Sequence, residues 1–271
     1  MPQIFFHGTR GSFLTSASTH ARYGGHTSCV SVLHDNQWFI FDAGSGLIDA
    51  DKIIHGQDID RCHLFLSHLH LDHICGLPAF QLAWEPNFEI NFYCGMSREY
   101  SGMEEALGNI FKSPYFPVNW TAFPARRTYK DFIAGESFRL NDKIMVDTIP
   151  LEHPGGSCGY KLNIDDKSIV YLSDTSHEQG AFERFVKFSE SSDLLIYDSS
   201  YCNSEFDRVA NYGHSTWQVA CDLAQQAAVK QLALFHHSPE HTDEFIDALE
   251  SQAKLRFPGA FAAACGMSLK I

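Results

Sequence analysis

Ser67-His68-Leu69-His70-Leu71-Asp72-His73 places three imidazoles and a carboxylate within six residues. Neutral imidazole nitrogens and carboxylate oxygens are ligands for divalent transition metals, and a set without thiolate suits Zn, Mn or Fe. The apolar run His63-Leu64-Phe65-Leu66 comes just before. It is too short for a helix and reads as a buried strand. A strand ending in such a cluster delivers it to the rim of a sheet, where α/β proteins keep their sites. His68 and His70 alternate with leucines, so an extended segment points both imidazoles the same way. Asp72 and His73 turn into the next element and can face a second metal. The chain holds 15 His in 271 residues, so a histidine-rich surface turn is the bland alternative, but chance seldom writes H-x-H-x-D-H at a strand end.

This motif resembles the signature of the metallo-β-lactamase-fold hydrolases. The resemblance implies further ligands from loops later in the chain. His153 follows the strand-like 143–147, Asp174 follows 168–172, and His236 follows 231–234. By the family pattern His68, His70 and His153 hold one metal, Asp72, His73 and His236 hold the second, and Asp174 bridges them. His237 competes with His236 for the last position; His236 comes first after the strand and matches the family's place. Two divalent ions, with Zn the leading choice, are therefore the expected cofactors.

A second constellation bears on the reaction. Asn211-Tyr212-Gly213-His214-Ser215-Thr216-Trp217-Gln218 contains an S-x-x-Q capping box, so a helix should start there, with His214 just ahead of its N-terminus. The segment resembles the H-S-T motif of the ribonuclease Z branch, in which the histidine protonates a leaving oxygen and an acidic residue at a preceding strand end holds it. Leu194-Leu195-Ile196-Tyr197-Asp198 offers Asp198 in that place. The implied reaction is cleavage of a small phosphodiester by metal-bound hydroxide, with His214 as general acid, Asp198 as its partner, and Asp72 as both ligand and partner to the metal-bound water. A carboxylic-ester, thioester or lactone hydrolase on the same fold is the alternative. An RNA-processing endonuclease and a non-catalytic metal-binding module rank lower.

Charge narrows the partners. Lys plus Arg is 20 and Asp plus Glu is 33, a net charge of −13 that repels a long nucleic acid. The longest basic run is Arg126-Arg127, and the long Gly/Pro-rich arm with which ribonuclease Z binds tRNA has no counterpart. The glycine-rich stretches 8–12 and 23–29 resemble instead a bacterial branch of small phosphodiesterase-like hydrolases, some acting on cyclic nucleotides. A small-molecule phosphodiester, with a cyclic nucleotide as the class named first, is the expected substrate. No transmembrane run and no signal peptide are apparent, so no membrane association and a cytoplasmic location are expected.

Residues 111–127 carry five aromatics and three prolines, a composition hostile to helix and to central strand. They lie in a lid or insertion expected near 95–135. Tyr115 and Phe116 either stack on a substrate base from there, or the segment covers core or forms a homodimer contact. His177 and His26 are weighed as phosphate contacts against a structural role.

The rest is organisation. Residues 1–271 read as a single hydrolase domain. Strands are predicted near 3–6, 29–34, 37–41, 62–66, 89–94, 144–149, 158–164, 168–172, 193–197 and 231–235. Helices are predicted near 101–111, 178–188, 214–228 and 241–254. This mix predicts an α/β fold of two face-to-face sheets with helices outside, the four-layer αββα sandwich. Asp42 in Phe41-Asp42-Ala43-Gly44 sits in a tight turn near the metals. The eight scattered cysteines read as buried reduced thiols, and His20, His34, His55, His63 and His241 as surface or loop residues.

Overall fold

The computed structural model describes residues 1–54, 56–95, 102–177 and 180–271. His55, residues 96–101 of the expected lid, and the expected helix starts at 101 and at 178–179 lie outside the described residues. Strands β1 (Gln3–Gly8), β2 (Cys29–His34), β3 (Gln37–Phe41), β4 (Arg61–Leu66), β5 (Glu89–Cys94) and β6 (Arg126–Asp131) belong to one sheet. β7 (Ser137–Asn141), β8 (Ile144–Leu151), β9 (Ser157–Ile164), β10 (Lys167–Leu172), β11 (Leu194–Asp198), β12 (Gln231–Phe235) and β13 (Ala260–Ala262) form the other, and β14 (Ser268–Lys270) returns to the first. Among the described residues each sheet has seven strands, ordered β14-β1-β2-β3-β4-β5-β6 and β13-β12-β11-β10-β9-β8-β7.

Strand alternation sends alternate side chains to opposite faces, and both faces of each sheet are apolar. Phe6, Val32, Phe41 and Phe65 of the first sheet meet Tyr160, Leu162, Tyr171 and Ile196 of the second in the central core. The outer face of the first sheet packs Ile40, Leu64 and Phe92 against Met103 and Leu107 of helix α2 (Met103–Ile110), which follows the one-turn α1 (Leu71–Ile74). The outer face of the second sheet packs Val170, Leu195 and Leu232 under α3 (Ala181–Ser189), α5 (Trp217–Gln226) and α6 (Asp243–Arg256), with α4 (Asn203–Val209) ahead of α5. Helix, sheet, sheet, helix is the αββα sandwich.

Four strands, β6, β7, β13 and β14, are absent from the expectation. They are the four sheet edges. An edge strand pairs on one side only and needs little apolar surface; β6 reads Arg-Arg-Thr-Tyr-Lys-Asp. The helix after His214 also starts three residues later than the predicted 214, at Trp217. Thr216, not Ser215, caps it by accepting from Val219 N–H, and Gln218 accepts from Asn203 N–H instead of closing a capping box. Of the cysteines, Cys75 is exposed and Cys202 and Cys265 are half-buried; the other five are buried. His20, His34 and His241 are buried, not superficial.

Half-buried histidines held neutral make the fold acid-sensitive. His7 beside Ser31 and His63 beside Tyr93 are both brought down to about 4, chiefly by burial. A base depressed in the folded state gives its full stability above the unfolded value near 6.5 and loses it as pH falls toward the folded value. Between those limits each contributes a slope of roughly 1.4 kcal/mol per pH unit at most. Urea unfolding from pH 7.5 to 4.5 is therefore expected to show falling stability, and His63→Asn to flatten the slope at constant metal content. An unchanged slope in the variant would contradict this account.

Candidate metal centre

Parallel pairing levels the strand ends. β3 and β4 are parallel with Phe41 opposite Phe65; β10, β11 and β12 are parallel with Leu172 opposite Tyr197 and Asp198 opposite Phe235. Asp198 at the end of β11 and the residues just past the other strands, Asp42, His68, Asp174 and His236, thus share one rim, and His153 arrives just beyond β8. The Tyr171 hydroxyl donates to Asp42 Oδ2 at 2.7 Å and the Tyr160 hydroxyl to Leu66 O at 2.6 Å, tying the two sheets together there. Asp42, Asp174 and His236 each take a left-handed backbone, at φ 58°, 58° and 60°. Such conformations cost stability and collect at functional sites. Here they turn the side chain back over the strand end.

Two ligand sets converge on Asp174: His68, His70 and His153 on one side, and Asp72, His73 and His236 on the other. The carboxylate divides between them. Its Oδ2 lies 3.7 Å from Nε2 of both His68 and His153, while its Oδ1 lies 3.2 Å from His73 Nε2 and 2.9 Å from His236 Nε2. His70 Nδ1 is 3.2 Å from His153 Nε2, and Asp72 Oδ2 is 3.2 Å from His73 Nε2. Ligands about 2.0–2.1 Å from a tetrahedral centre stand about 3.3 Å apart, so these spacings fit a cation in each set. The Nε2 atoms of His68, His73 and His236 are buried without a hydrogen-bond partner, and a cation taking their lone pairs would satisfy them.

The opposite ring nitrogen of most ligands is anchored. His73 Nδ1 lies 2.8 Å from Asp42 Oδ2, His68 Nδ1 3.0 Å from Ser67 Oγ, His236 Nδ1 3.0 Å from Ser200 Oγ, and His153 Nδ1 2.9 Å from Gly213 O. Such contacts fix the tautomer and aim the free lone pair. Asp42 is fully buried and also accepts from Ser67 N–H at 2.7 Å.

The electrostatics favour positive charge at the second set. Burial opposes protonation of His236, but Asp174, Asp72 and Asp198 raise it to about 10; His73 rises well above its ordinary value beside Asp174, Asp72 and Asp42 despite burial. Burial would raise Asp72 and Asp174, yet the neighbouring histidines His73 and His236 hold both well below the usual carboxylate range. In the first set burial lowers His68, His70 and His153, which stay neutral and ready to ligate.

His214 Nδ1 lies 2.8 Å from Asp198 Oδ2. Asp198 is fully buried and accepts from Thr175 N–H, Ser200 N–H and Ser200 Oγ–H. Burial opposes its charge, but His214 outweighs that and its value falls. The His214 ring stacks 4.9 Å from His236 and stands 5.2 Å from His153, over both sets. His70, Asp72, Asp174 and His214 line a cleft of about 860 Å³.

Other predicted residues lie elsewhere. His237 is fully buried, with Nε2 2.9 Å from Ala263 O, and is not in either ligand set; burial, with Arg10 nearby, lowers it to about 3. Tyr115 and Phe116 do not line the metal cleft. They border a separate apolar groove that shares Leu71 with it, and Phe111, Trp120 and Phe123 of the same segment are buried in the core. Apolar burial decided the placement of that segment. His177 is not among the cleft-lining residues either; its Nδ1 is 3.0 Å from Ser215 Oγ and its ring lies 4.7 Å from Phe206. His26 Nδ1 lies 3.1 Å from Ser45 Oγ.

Sequence reasoning missed the residues that hold the loops. Arg10 is fully buried and donates to the carbonyls of Gly24, Ser238 and His241 at 2.8, 3.1 and 2.7 Å. Gly11 lets its loop lie on His236; a Cβ there would stand 2.2 Å from the imidazole. The glycine run around residue 11 was the available signal. Gly11→Ala is expected to push His236 off its ligand position and to remove one metal per chain, read by elemental analysis. Retention of the wild-type metal content would contradict that contact.

A family model described as "Beta-lactamase superfamily domain" matches residues 37–237. The chain belongs to this family, whose metallo-β-lactamase-fold proteins bind divalent metals. Ribonuclease Z of Haloarcula marismortui is 26% identical over 170 residues, covering 61% of this chain and 48% of the relative. The chain spans about half the length of the curated relatives it matches. Among solved structures, the metallo-β-lactamase-fold protein YhfI of Bacillus subtilis superposes with a TM-score of 0.76 at 18% identity, over 99% of this chain and 98% of that one. A diphosphatase of the PhnP family gives 0.70 at 16% identity, over 100% and 98%. These structural likenesses establish the fold. No described helix is long and apolar enough to cross a membrane.

Proposed function

We propose that this protein is a dinuclear metal-dependent phosphodiesterase whose substrate is a small phosphodiester, with a cyclic nucleotide the leading class and Zn the leading metal. The observation that carries the reading is the His214–Asp198 pair standing over both ligand sets. A carboxylic ester with an activated leaving group has little use for such an acid; an alkoxide leaving from phosphorus needs one. The ribonuclease Z and diphosphatase names among the relatives point the same way. The net charge of −13 favours a small substrate over a long polyanion.

When bound, two divalent cations would screen the diester's charge and activate water for attack. His68, His70 and His153 would hold one, Asp72, His73 and His236 the other, and Asp174 both. Asp198 fixes the His214 ring through Nδ1, so Nε2 is the nitrogen that passes a proton to the leaving oxygen. Asp198, held anionic by three donors, stabilises the imidazolium that delivers it.

The test is turnover of bis-p-nitrophenyl phosphate by metal-reconstituted protein, followed by a panel of cyclic nucleotides, carboxylic esters, thioesters and lactones. Diester turnover that depends on metal is the expected result. Hydrolysis of the esters alone, with two metals bound, would overturn the reading.

A further inference from the structure

The metal cleft is polar at its floor, but two exposed aromatic rings stand at its rim. Phe13 is 73% exposed and Tyr212 is 59% exposed, and both line the cleft. Ligand clefts are lined largely by apolar and aromatic side chains, with a few polar groups that fix the ligand's orientation. Neither ring sits on a loose tether. Phe13 N–H donates to Gly11 O at 2.6 Å, Gly11 N–H donates to His237 O at 3.0 Å, and Ser12 between them is held at φ 58°. Tyr212 ends the short 3₁₀ turn Ala210–Tyr212, just before Gly213 at φ 76°.

Their attachments place them at opposite ends of the ligand cluster. Ser12 N–H donates to Asp72 Oδ2 at 2.8 Å, which ties the Phe13 loop to the second ligand set. Gly213 O lies 2.9 Å from His153 Nδ1, which ties the Tyr212 turn to the first. Charge offers little by comparison. Arg208 is the only Lys or Arg among the described residues lining the cleft, and Glu240 lies 3.7 Å from it.

We propose that Phe13 and Tyr212 form an aromatic clamp that holds a planar ring of the substrate while its phosphodiester lies on the cleft floor. The clamp deepens the phosphodiesterase reading and rests on it. It selects a diester carrying a nucleobase or a similar flat ring. Stacking on an aromatic side chain tolerates any base, so the clamp discriminates ring from no ring, not one base from another.

The experiment compares kcat/KM for adenosine 2′,3′-cyclic phosphate with that for glycerol 1,2-cyclic phosphate, which keeps the cyclic diester and lacks a flat aromatic ring. The ratio is expected to fall about tenfold in each of Phe13→Ala and Tyr212→Ala, mainly through KM, and to survive in Tyr212→Phe. A ratio unchanged in both alanine variants, or lost equally in Tyr212→Phe, overturns the clamp and leaves the phosphodiesterase reading standing. If the metal-loaded wild type turns over no diester, that reading fails, and binding of 2-aminopurine riboside 5′-monophosphate tests the clamp by itself. Quenching of its fluorescence by the wild type, lost in the double alanine variant, supports the clamp; no quenching by the wild type overturns it.

Discussion

Asp174→Ala is expected to abolish metal-dependent turnover and to lower metal content from two ions per chain to one or none. The reason is the division of its carboxylate, with Oδ2 facing His68 and His153 and Oδ1 facing His73 and His236. Among the described residues no other side chain belongs to both four-residue ligand sets centred on these histidines. Losing a residue that merely orients a ligand typically costs 10–100-fold in metal affinity or activity. Losing the shared ligand should cost more than about 100-fold. It also removes the leading source of positive-charge stabilisation at His73 and His236. Asp174→Asn keeps one oxygen and should keep one ion. Elemental analysis after dialysis, read beside kcat/KM, checks both variants. Two tightly held ions in Asp174→Ala would refute the bridging geometry.

The second large effect concerns the proton. His214→Ala should lower kcat by roughly 10²–10⁴-fold on diesters that expel an alkoxide, the usual worth of a positioned acid. On p-nitrophenyl diesters the loss should be under about tenfold, because nitrophenolate departs without protonation. Metal content should not change, since the nitrogen anchoring His153 is bonded by Gly213 O and not by His214. Asp198→Asn should give a smaller loss with the same leaving-group dependence, because the imidazole loses the charge that steadies it. A uniform loss across both leaving-group classes would place His214 in binding or support rather than acid catalysis.

Much of the site was legible because ligand chemistry is local. His68 to His73 fall within six residues at a strand end, and His153, Asp174, Asp198 and His236 each follow an apolar run that proved to be a strand. The ten strands read from the sequence are the inner ones, whose doubly apolar faces leave a strong pattern; the four edges, paired on one side, left too little. Backbone conformation separates His236 from His237, since the left-handed turn at 236 carries that ring to Asp174 while His237 lies against Arg10 and Ala263. Tyr115 and Phe116 border a groove beside the cleft and not the cleft itself, a placement that aromatic content could not give because it marks a surface to be covered without saying which one. Gly11, Phe13 and Tyr212 gained meaning only from neighbours far away in the chain.

By itself, then, the sequence determined the kinds of ligand, their order and the layered class of fold, since donor identity and apolar periodicity belong to residues and their near neighbours. The tertiary structure alone supplied the spacings that bring the two expected ligand sets together on Asp174, the stacking of His214 over both, and the aromatic rings that flank the cleft. Those facts depend on parallel register and on loops pinned across the sandwich, which no local pattern encodes.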